Sequence, residues 1–210
     1  PYILLYSIKG DFMKKQIRCQ YDESLEIILN YVRTKSHIRP ILIGIDGRAG
    51  SGKTTLVKNV NAIDPNISII TGDDFYQHLP FDIHGKSSFF YKYQGYFDQN
   101  KFIKNILLPV RNSKEIKYKK YDWFKKGFSE HTIFLPTNII FFEGVFMCSP
   151  DLVKYFDFSV FLDSKRDLCY SRLIKRDTSQ EWITGWQDTE DWYLEHYSIK
   201  TYVDILVDVK

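Results

Sequence analysis

The stretch from Ile41 to Thr54 constrains the fold more than any other part of the chain. Ile41-Leu42-Ile43-Gly44-Ile45 is apolar and rich in β-branched residues, the pattern of a strand buried on both faces. It runs into Gly47-Arg48-Ala49-Gly50-Ser51-Gly52-Lys53-Thr54, which fills the phosphate-loop pattern G-x-x-x-x-G-K-[ST]. Glycines permit a tight backbone path that points several N–H groups inward at phosphate oxygens. Thr54 and Thr55 open a helical pattern whose N-terminus adds partial positive charge. Lys53 can reach the β- and γ-phosphates, and the Thr54 hydroxyl can ligate magnesium. A chance match arises about once in a hundred chains of this length; a strand before and a helix after give the match its meaning. Gly47, Ala49, Gly50, Ser51, Gly52, Lys53, Thr54 and Thr55 are therefore read as the site of a nucleoside triphosphate, ATP with Mg2+.

Further short apolar runs follow: Ile67-Ser68-Ile69-Ile70, Ile139-Ile140-Phe141-Phe142, Phe158-Ser159-Val160-Phe161-Leu162 and Val203-Asp204-Ile205-Leu206-Val207. Residues 22–36 carry a helical stripe (Leu25, Ile28, Leu29, Val32), and helical patterns cover 53–61, 99–107 and 166–176. Strands alternating with helices predict a P-loop NTPase three-layer α/β/α sandwich with a mostly parallel five-stranded sheet. In such sheets the ligand sits at the carboxyl ends of the strands, which puts Gly47–Thr54, Asp73, Glu143 and Asp163 on one rim. The 210 residues suit a single domain over 1–210. Met13-Lys14-Lys15 reads as a natural start, so residues 1–12 are expected to form a loose N-terminal extension.

The net charge of +3 is mild and demands neither nucleic acid nor an anionic membrane. Cys19, Cys148 and Cys169 have no metal-ligand or disulfide spacing, which predicts free thiols in a reducing compartment. No apolar segment approaches a membrane span, and Pro1–Tyr6 is too short for a signal-peptide core. The expected location is cytoplasmic.

A phosphate loop alone leaves GTPases, motors, transporters and small-molecule kinases open. Asn100-Lys101-Phe102-Ile103 lacks the aspartate of a guanine-reading N-K-x-D, and no S-G-G-Q signature of a transporter ATPase is present. Three constellations favour a kinase. Asp73, in Asp73-Asp74-Phe75-Tyr76 after the second strand, can take a proton from an attacking hydroxyl and help hold magnesium-bound water; a plain helix cap is the competing reading. Glu143 follows an apolar strand, where P-loop enzymes keep a magnesium-shell carboxylate, and Asp163 competes for that role. Arg172 and Arg176, at i and i+4 on one helical face, can clamp phosphates; a solvated face is the alternative.

Together these residues resemble the uridine kinase family, within the wider group of phosphoribulokinase and bacterial pantothenate kinase. The resemblance runs unevenly from about residue 40 to the C-terminus. Asp73-Asp74-Phe75-Tyr76 is similar to the family's D-x-F-Y motif, which implies Asp73 as base and Tyr76 in the acceptor site. Tyr96-Phe97-Asp98 resembles its ribose-binding segment, implicating Asp98. Tyr121-Asp122-Trp123 resembles its Y-D-aromatic segment, implicating Tyr121 and Trp123 against the base. Glu143-Gly144-Val145 matches its E-G-aliphatic motif, and Ser171–Asp177 resembles the R-x-x-x-R-D helix flanking a lid, which would fall at 177–192. Two features depart from the family. Lys126 stands where it usually carries histidine, and the segment after Asp177 is rich in tryptophan (Trp182, Trp186, Trp192).

The implied activity is an ATP-dependent kinase phosphorylating a hydroxyl of a small metabolite, with Lys53, Asp73, Arg172 and Arg176 catalytic and Thr54, Asp73 and Glu143 serving the metal. A pyrimidine nucleoside is one acceptor. Pantothenate or glycerate is an alternative, as is a nucleotide-binding regulator with no acceptor. The expected partner is a small-molecule acceptor, with self-association into a homo-oligomer left open and no nucleic acid or membrane. The aromatic run over 75–98 can serve as an acceptor pocket or as a stacking platform for single-stranded nucleic acid; the mild charge disfavours the second.

Overall fold

The computed structural model describes residues 3–9, 12–35, 38–76, 89–122, 125–176 and 181–210. Its centre is β3 (Ile41–Gly47), buried along its whole length as the apolar run requires. It lies between β7 (Ile139–Glu143) and β8 (Phe158–Ser164), both parallel to it. Beyond β7 lies β4 (Ile67–Thr71); beyond β8 lies β9 (Ile205–Val209). The helices are α1 (Tyr21–Arg33), α2 (Lys53–Ile63), α3 (Phe89–Tyr96), α4, α5 (Pro150–Val153), α6 (Arg166–Arg176) and α7 (Glu181–Tyr197). Helix α4 runs over Gln99–Phe102, widens to a π turn over Ile103–Leu107 and returns to α geometry over Leu108–Arg111.

Alternation along the strands builds the layers. Ile41, Ile43 and Ile45 of β3 and Ile139 and Phe141 of β7 face a core with Ile28, Leu29 and Val32 of α1 and Leu56, Val57 and Val60 of α2. Leu42, Ile140 and Phe142 face the opposite way, onto Phe102, Ile106, Leu107 and Phe156. A third cluster joins Phe146, Phe161 and Tyr193 of α7. The three-layer α/β/α sandwich with a mostly parallel sheet is thus the fold that the strand and helix pattern predicts.

The sheet has seven strands rather than the expected five. The two additions lie at one edge. β2 (Phe12–Gln20) pairs parallel to β9, and β1 (Ile3–Lys9), within the stretch read as an extension, pairs antiparallel to β2. Lysines and glutamines interrupt β2, so no apolar run marks it. Gln16 is nevertheless buried, and its side-chain amide donates to the carbonyls of Val203 (2.8 Å) and Lys200 (3.0 Å). The last strand begins at Ile205, later than expected, because the Asp204 side chain is bonded across to the Ser159 N–H and hydroxyl (both 2.8 Å). A separate hairpin, β5 (Ile116–Asp122) with β6 (Gly127–Phe134), lies outside the main sheet. Among the described residues no helix is long and apolar enough to cross a membrane, and the three cysteines are free and buried.

Gly44 shows how closely the central strand is packed. A Cβ there would stand 2.5 Å from a ring carbon of buried Phe156. Gly44→Ala should therefore destabilise the protein by about 2 kcal/mol through overpacking, and Phe156→Leu in the same chain should recover part of the loss in denaturant unfolding. An unaltered midpoint in the single variant would show that the ring yields freely.

Candidate active site

Sheet register assembles the rim. Ile45 of β3 and Thr71 of β4 both pair with Glu143 of β7, so three strands end together. Close approach is needed just beyond. A Cβ on Gly144 would lie 3.2 Å from the Cα of Gly72, which accounts for the glycine after Glu143. The phosphate loop then bridges β3 to α2. Gly47 and Gly50 have φ of 146° and 81°, and a Cβ on either would meet a backbone carbonyl, Leu162 at 2.7 Å or Cys169 at 2.9 Å.

Lys53 is almost fully buried, and its ammonium donates to the carbonyls of Gly47 (2.8 Å) and Arg48 (2.9 Å). Its charge acts on four carboxyl groups: Asp46, Asp73, Glu143 and Glu190. The Thr54 hydroxyl donates to Glu143 (3.2 Å). Burial raises the pKa of Glu143, and the charge of Asp73 adds to that; Lys53 and the hydroxyls of Thr54 and Thr71 oppose it. Asp73 lies on a single 3-10 turn, Gly72–Phe75, that follows β4. Its side chain keeps contact with solvent. Desolvation there raises its pKa, against Lys53 and Arg176, with Asp74 reinforcing the rise. Thr54, Asp73 and Glu143 are thus brought together with Lys53.

The two arginines divide. Arg172 donates to the carbonyl of Gly50 (3.2 Å) in the loop itself, whereas Arg176 exerts its charge on Asp73. Thr55 is exposed on the first turn of α2. Of the expected lid, residues 177–180 lie outside the described residues and 181–192 belong to α7.

On the far side of Asp73 the aromatic residues gather. Tyr76 stacks on Tyr96 (5.2 Å between centroids) and touches Tyr121 (5.8 Å) and Trp186 (5.9 Å). The hydroxyls of Tyr76 and Tyr96 share a hydrogen bond, and burial drives the Tyr76 pKa far up. Asp98 is occupied otherwise: it caps α4, accepting from the Lys101 N–H at 3.0 Å. Trp123 lies outside the described residues, as do Phe81 and Lys86 of the aromatic run. Lys126 is exposed, with φ of 50°, at the hairpin turn.

Several residues at the site carry no motif. Asp46 is fully buried and accepts from the N–H groups of Gly47 (2.6 Å), Phe146 (3.1 Å) and Cys148 (2.8 Å) and from the Tyr193 hydroxyl (2.7 Å). Glu190 accepts from the Ala49 N–H (2.8 Å), Arg48 is bridged to Asp191, and the Tyr21 hydroxyl donates to the Gly52 carbonyl (3.2 Å). Ile183, Trp186, Glu190, Tyr193 and Tyr197 recur at alternating spacings of three and four, a helical stripe that could have marked the inner face of α7.

A family model described as phosphoribulokinase / uridine kinase family matches residues 42–203. A uridine kinase of Staphylococcus aureus is 27% identical over 183 residues, covering 79% of this chain and 86% of that protein. A uridine kinase of Borrelia hermsii is 27% identical over 141 residues, covering 66% and 68%. Among solved structures, a possible uridine kinase from Bacillus stearothermophilus superposes with a TM-score of 0.71 at 21% identity, covering 89% of this chain and 98% of that one. A D-glycerate 3-kinase from Cryptococcus neoformans does so with a TM-score of 0.58 at 12% identity, covering 89% and 94%. At these identities the two structural likenesses speak for the fold.

Proposed function

We propose an activity and a set of roles from one premise: this chain belongs to the phosphoribulokinase/uridine kinase family. The activity is ATP-dependent transfer of the γ-phosphate to a hydroxyl of a small metabolite, with a pyrimidine nucleoside as the favoured acceptor. The observation that carries it is the position of Asp73. It feels the charge of Lys53 from the phosphate loop and itself acts on Tyr76 of the aromatic cluster. A proton acceptor that faces both a triphosphate site and an aromatic surface for the acceptor is what phosphoryl transfer to a bound alcohol requires.

In this reading the N–H groups of Gly50 to Lys53 hold the phosphates, and the Lys53 ammonium turns from the loop carbonyls to the β- and γ-oxygens. Asp73 takes the proton of the acceptor hydroxyl as its oxygen bonds to the γ-phosphorus and the bond to the β–γ bridging oxygen breaks, releasing ADP. Arg172 and Arg176 close over the γ-phosphate and offset its charge. Thr54, Asp73 and Glu143 offer hard oxygen donors suited to Mg2+, and the Thr54–Glu143 contact already draws two of them together. A magnesium ion held there by Thr54, with Asp73 and Glu143 beside it, would supply positive charge to offset the charge that develops during transfer.

Tyr76, Tyr96 and Tyr121 suit a flat heterocycle, and relatives named uridine kinase supply the nucleoside. A second reading, a non-nucleoside alcohol such as pantothenate or glycerate, is favoured by one observation: Asp98, the expected ribose partner, is engaged as a helix cap. ADP release should be measured with uridine, cytidine, pantothenate, glycerate and sugar phosphates. Stimulation by a nucleoside is the expected result. Stimulation by pantothenate or glycerate alone selects the second reading, and Mg·ATP binding that no acceptor stimulates points to a regulator and rejects the kinase.

A further inference from the structure

Trp186 and Glu190 stand one helical turn apart on the inner face of α7, the first against the aromatic cluster and the second against the phosphate loop. The Trp186 ring lies 4.9 Å from Tyr96, 5.9 Å from Tyr76 and 5.8 Å from Phe146. Rings at these distances are in contact, and no further ring fits between them. A flat acceptor must therefore pack onto the outside of the cluster or displace one of its members, and Trp186 forms one wall of it.

The polar end of the same indole faces the other way. Trp186 Nε1–H donates to Glu190 Oε1 at 2.7 Å, and that oxygen also accepts the Ala49 N–H at 2.8 Å. Ala49 is the third residue of the phosphate loop. Glu190 is 1% exposed, and its Oε2 faces the Arg48 guanidinium at 3.6 Å without a hydrogen bond. Water has little access to replace a lost partner, so a change in one donor falls on the others.

We propose that Trp186 and Glu190 are a positioning pair that transmits the state of the aromatic acceptor cluster to the phosphate loop through the shared oxygen of Glu190. The proposal rests on the reading of that cluster as the acceptor site. An acceptor that shifts the indole alters the hold of Glu190 on Ala49, and by reciprocity a filled phosphate loop alters the cluster. Glu190 is suited to such a role. Burial lifts its pKa to about 7, against Ala49, Lys53, Arg48 and Trp186, so its place in the site depends on those partners.

The coupling is testable in the free protein. In 15N-labelled protein the Ala49 amide resonance should move in Tyr96→Leu, a change made in the aromatic cluster. The same substitution should leave it in place when Trp186→Phe, which keeps a ring and removes the N–H donor, is already present. Equal shifts in both backgrounds, or no shift in either, overturn the proposal. Glu190→Gln, which retains an acceptor for Ala49 and Trp186, should preserve the response. For function, Trp186→Phe should weaken Mg·AMP-PNP binding about fivefold, the scale of one ordinary hydrogen bond, and Tyr96→Leu should add nothing to that loss. Multiplying effects argue against the link. If Mg·AMP-PNP does not bind the wild-type chain, the kinase reading fails, while the Ala49 resonance still decides the coupling.

Discussion

Asp73→Asn is expected to lower kcat about a thousandfold, the scale of a lost general base, while Mg·ATP affinity stays within about twofold of wild type. Asparagine keeps the size of the side chain and removes its capacity to hold a proton from the acceptor. A pH profile separates this role from a purely electrostatic one. The pKa of Asp73 is raised by desolvation, so the active, ionised form is lost as pH falls through that raised value. In the wild type kcat/KM should climb with unit slope from the acid side and level off above the ordinary aspartate range. Glu143 and Asp73 act on one another, so the limb belongs to the pair rather than to one group. Asp73→Asn should both slow the reaction and remove the Asp73 contribution to that limb. Turnover within about tenfold of wild type rejects Asp73 as base. A parallel loss of nucleotide affinity assigns it to holding the metal and phosphates instead.

What could be read from the sequence follows the range of the interactions. The phosphate loop is local: its glycines, lysine and threonine are contiguous, and the strand before it is apolar because both its faces are buried. The same holds for the other core strands. β2 was not readable, because a strand near the sheet edge carries lysines and glutamines, and its buried Gln16 is satisfied by carbonyls far along the chain. Asp98, taken through the family resemblance as a ribose partner, shows a different limit. An aspartate before a helical turn can cap it or face a ligand, and spacing cannot choose between them; here it caps. Arg172 and Arg176 share a helical face, yet a rise of about 6 Å over four residues is enough to send one to the Gly50 carbonyl and the other toward Asp73. Helix α7 was the largest omission. Its tryptophans stood out, but the partners of its inner face lie more than a hundred positions away, as in the contacts of Glu190 with Ala49 and Tyr193 with Asp46.

Asp46 is where that omission has its largest consequence for stability. Asp46→Ala should destabilise the protein by about 4 kcal/mol, since each orphaned buried donor costs roughly 1–3 kcal/mol. Four donors converge on its carboxylate: Gly47, Phe146 and Cys148 through their N–H groups, and Tyr193 through its hydroxyl. Three segments lose their common anchor at once, namely the start of the phosphate loop, the turn after β7 and the inner face of α7. Burial itself raises the Asp46 pKa, so an unsolvated carboxylate is tolerated there only because those donors and Lys53 surround it. Asp46→Asn should cost less. It keeps one acceptor oxygen for the Gly47 and Phe146 N–H groups, while its amide on the other side meets the Cys148 N–H as donor against donor and can donate to the Tyr193 hydroxyl, so about one hydrogen bond is lost at roughly 1–2 kcal/mol. Tyr193→Phe removes a single donor and should cost about 1 kcal/mol. For a chain of this size the alanine variant corresponds to a fall of about 10 °C in Tm, readable by calorimetry beside urea unfolding. The ranking of the three variants carries the argument. If Asp46→Ala is no worse than Tyr193→Phe, the backbone donors have found other partners and Asp46 is not the anchor of the loop. If the ranking holds, helix α7, where a lid was expected, is tied through one carboxylate to the first residue of the phosphate site.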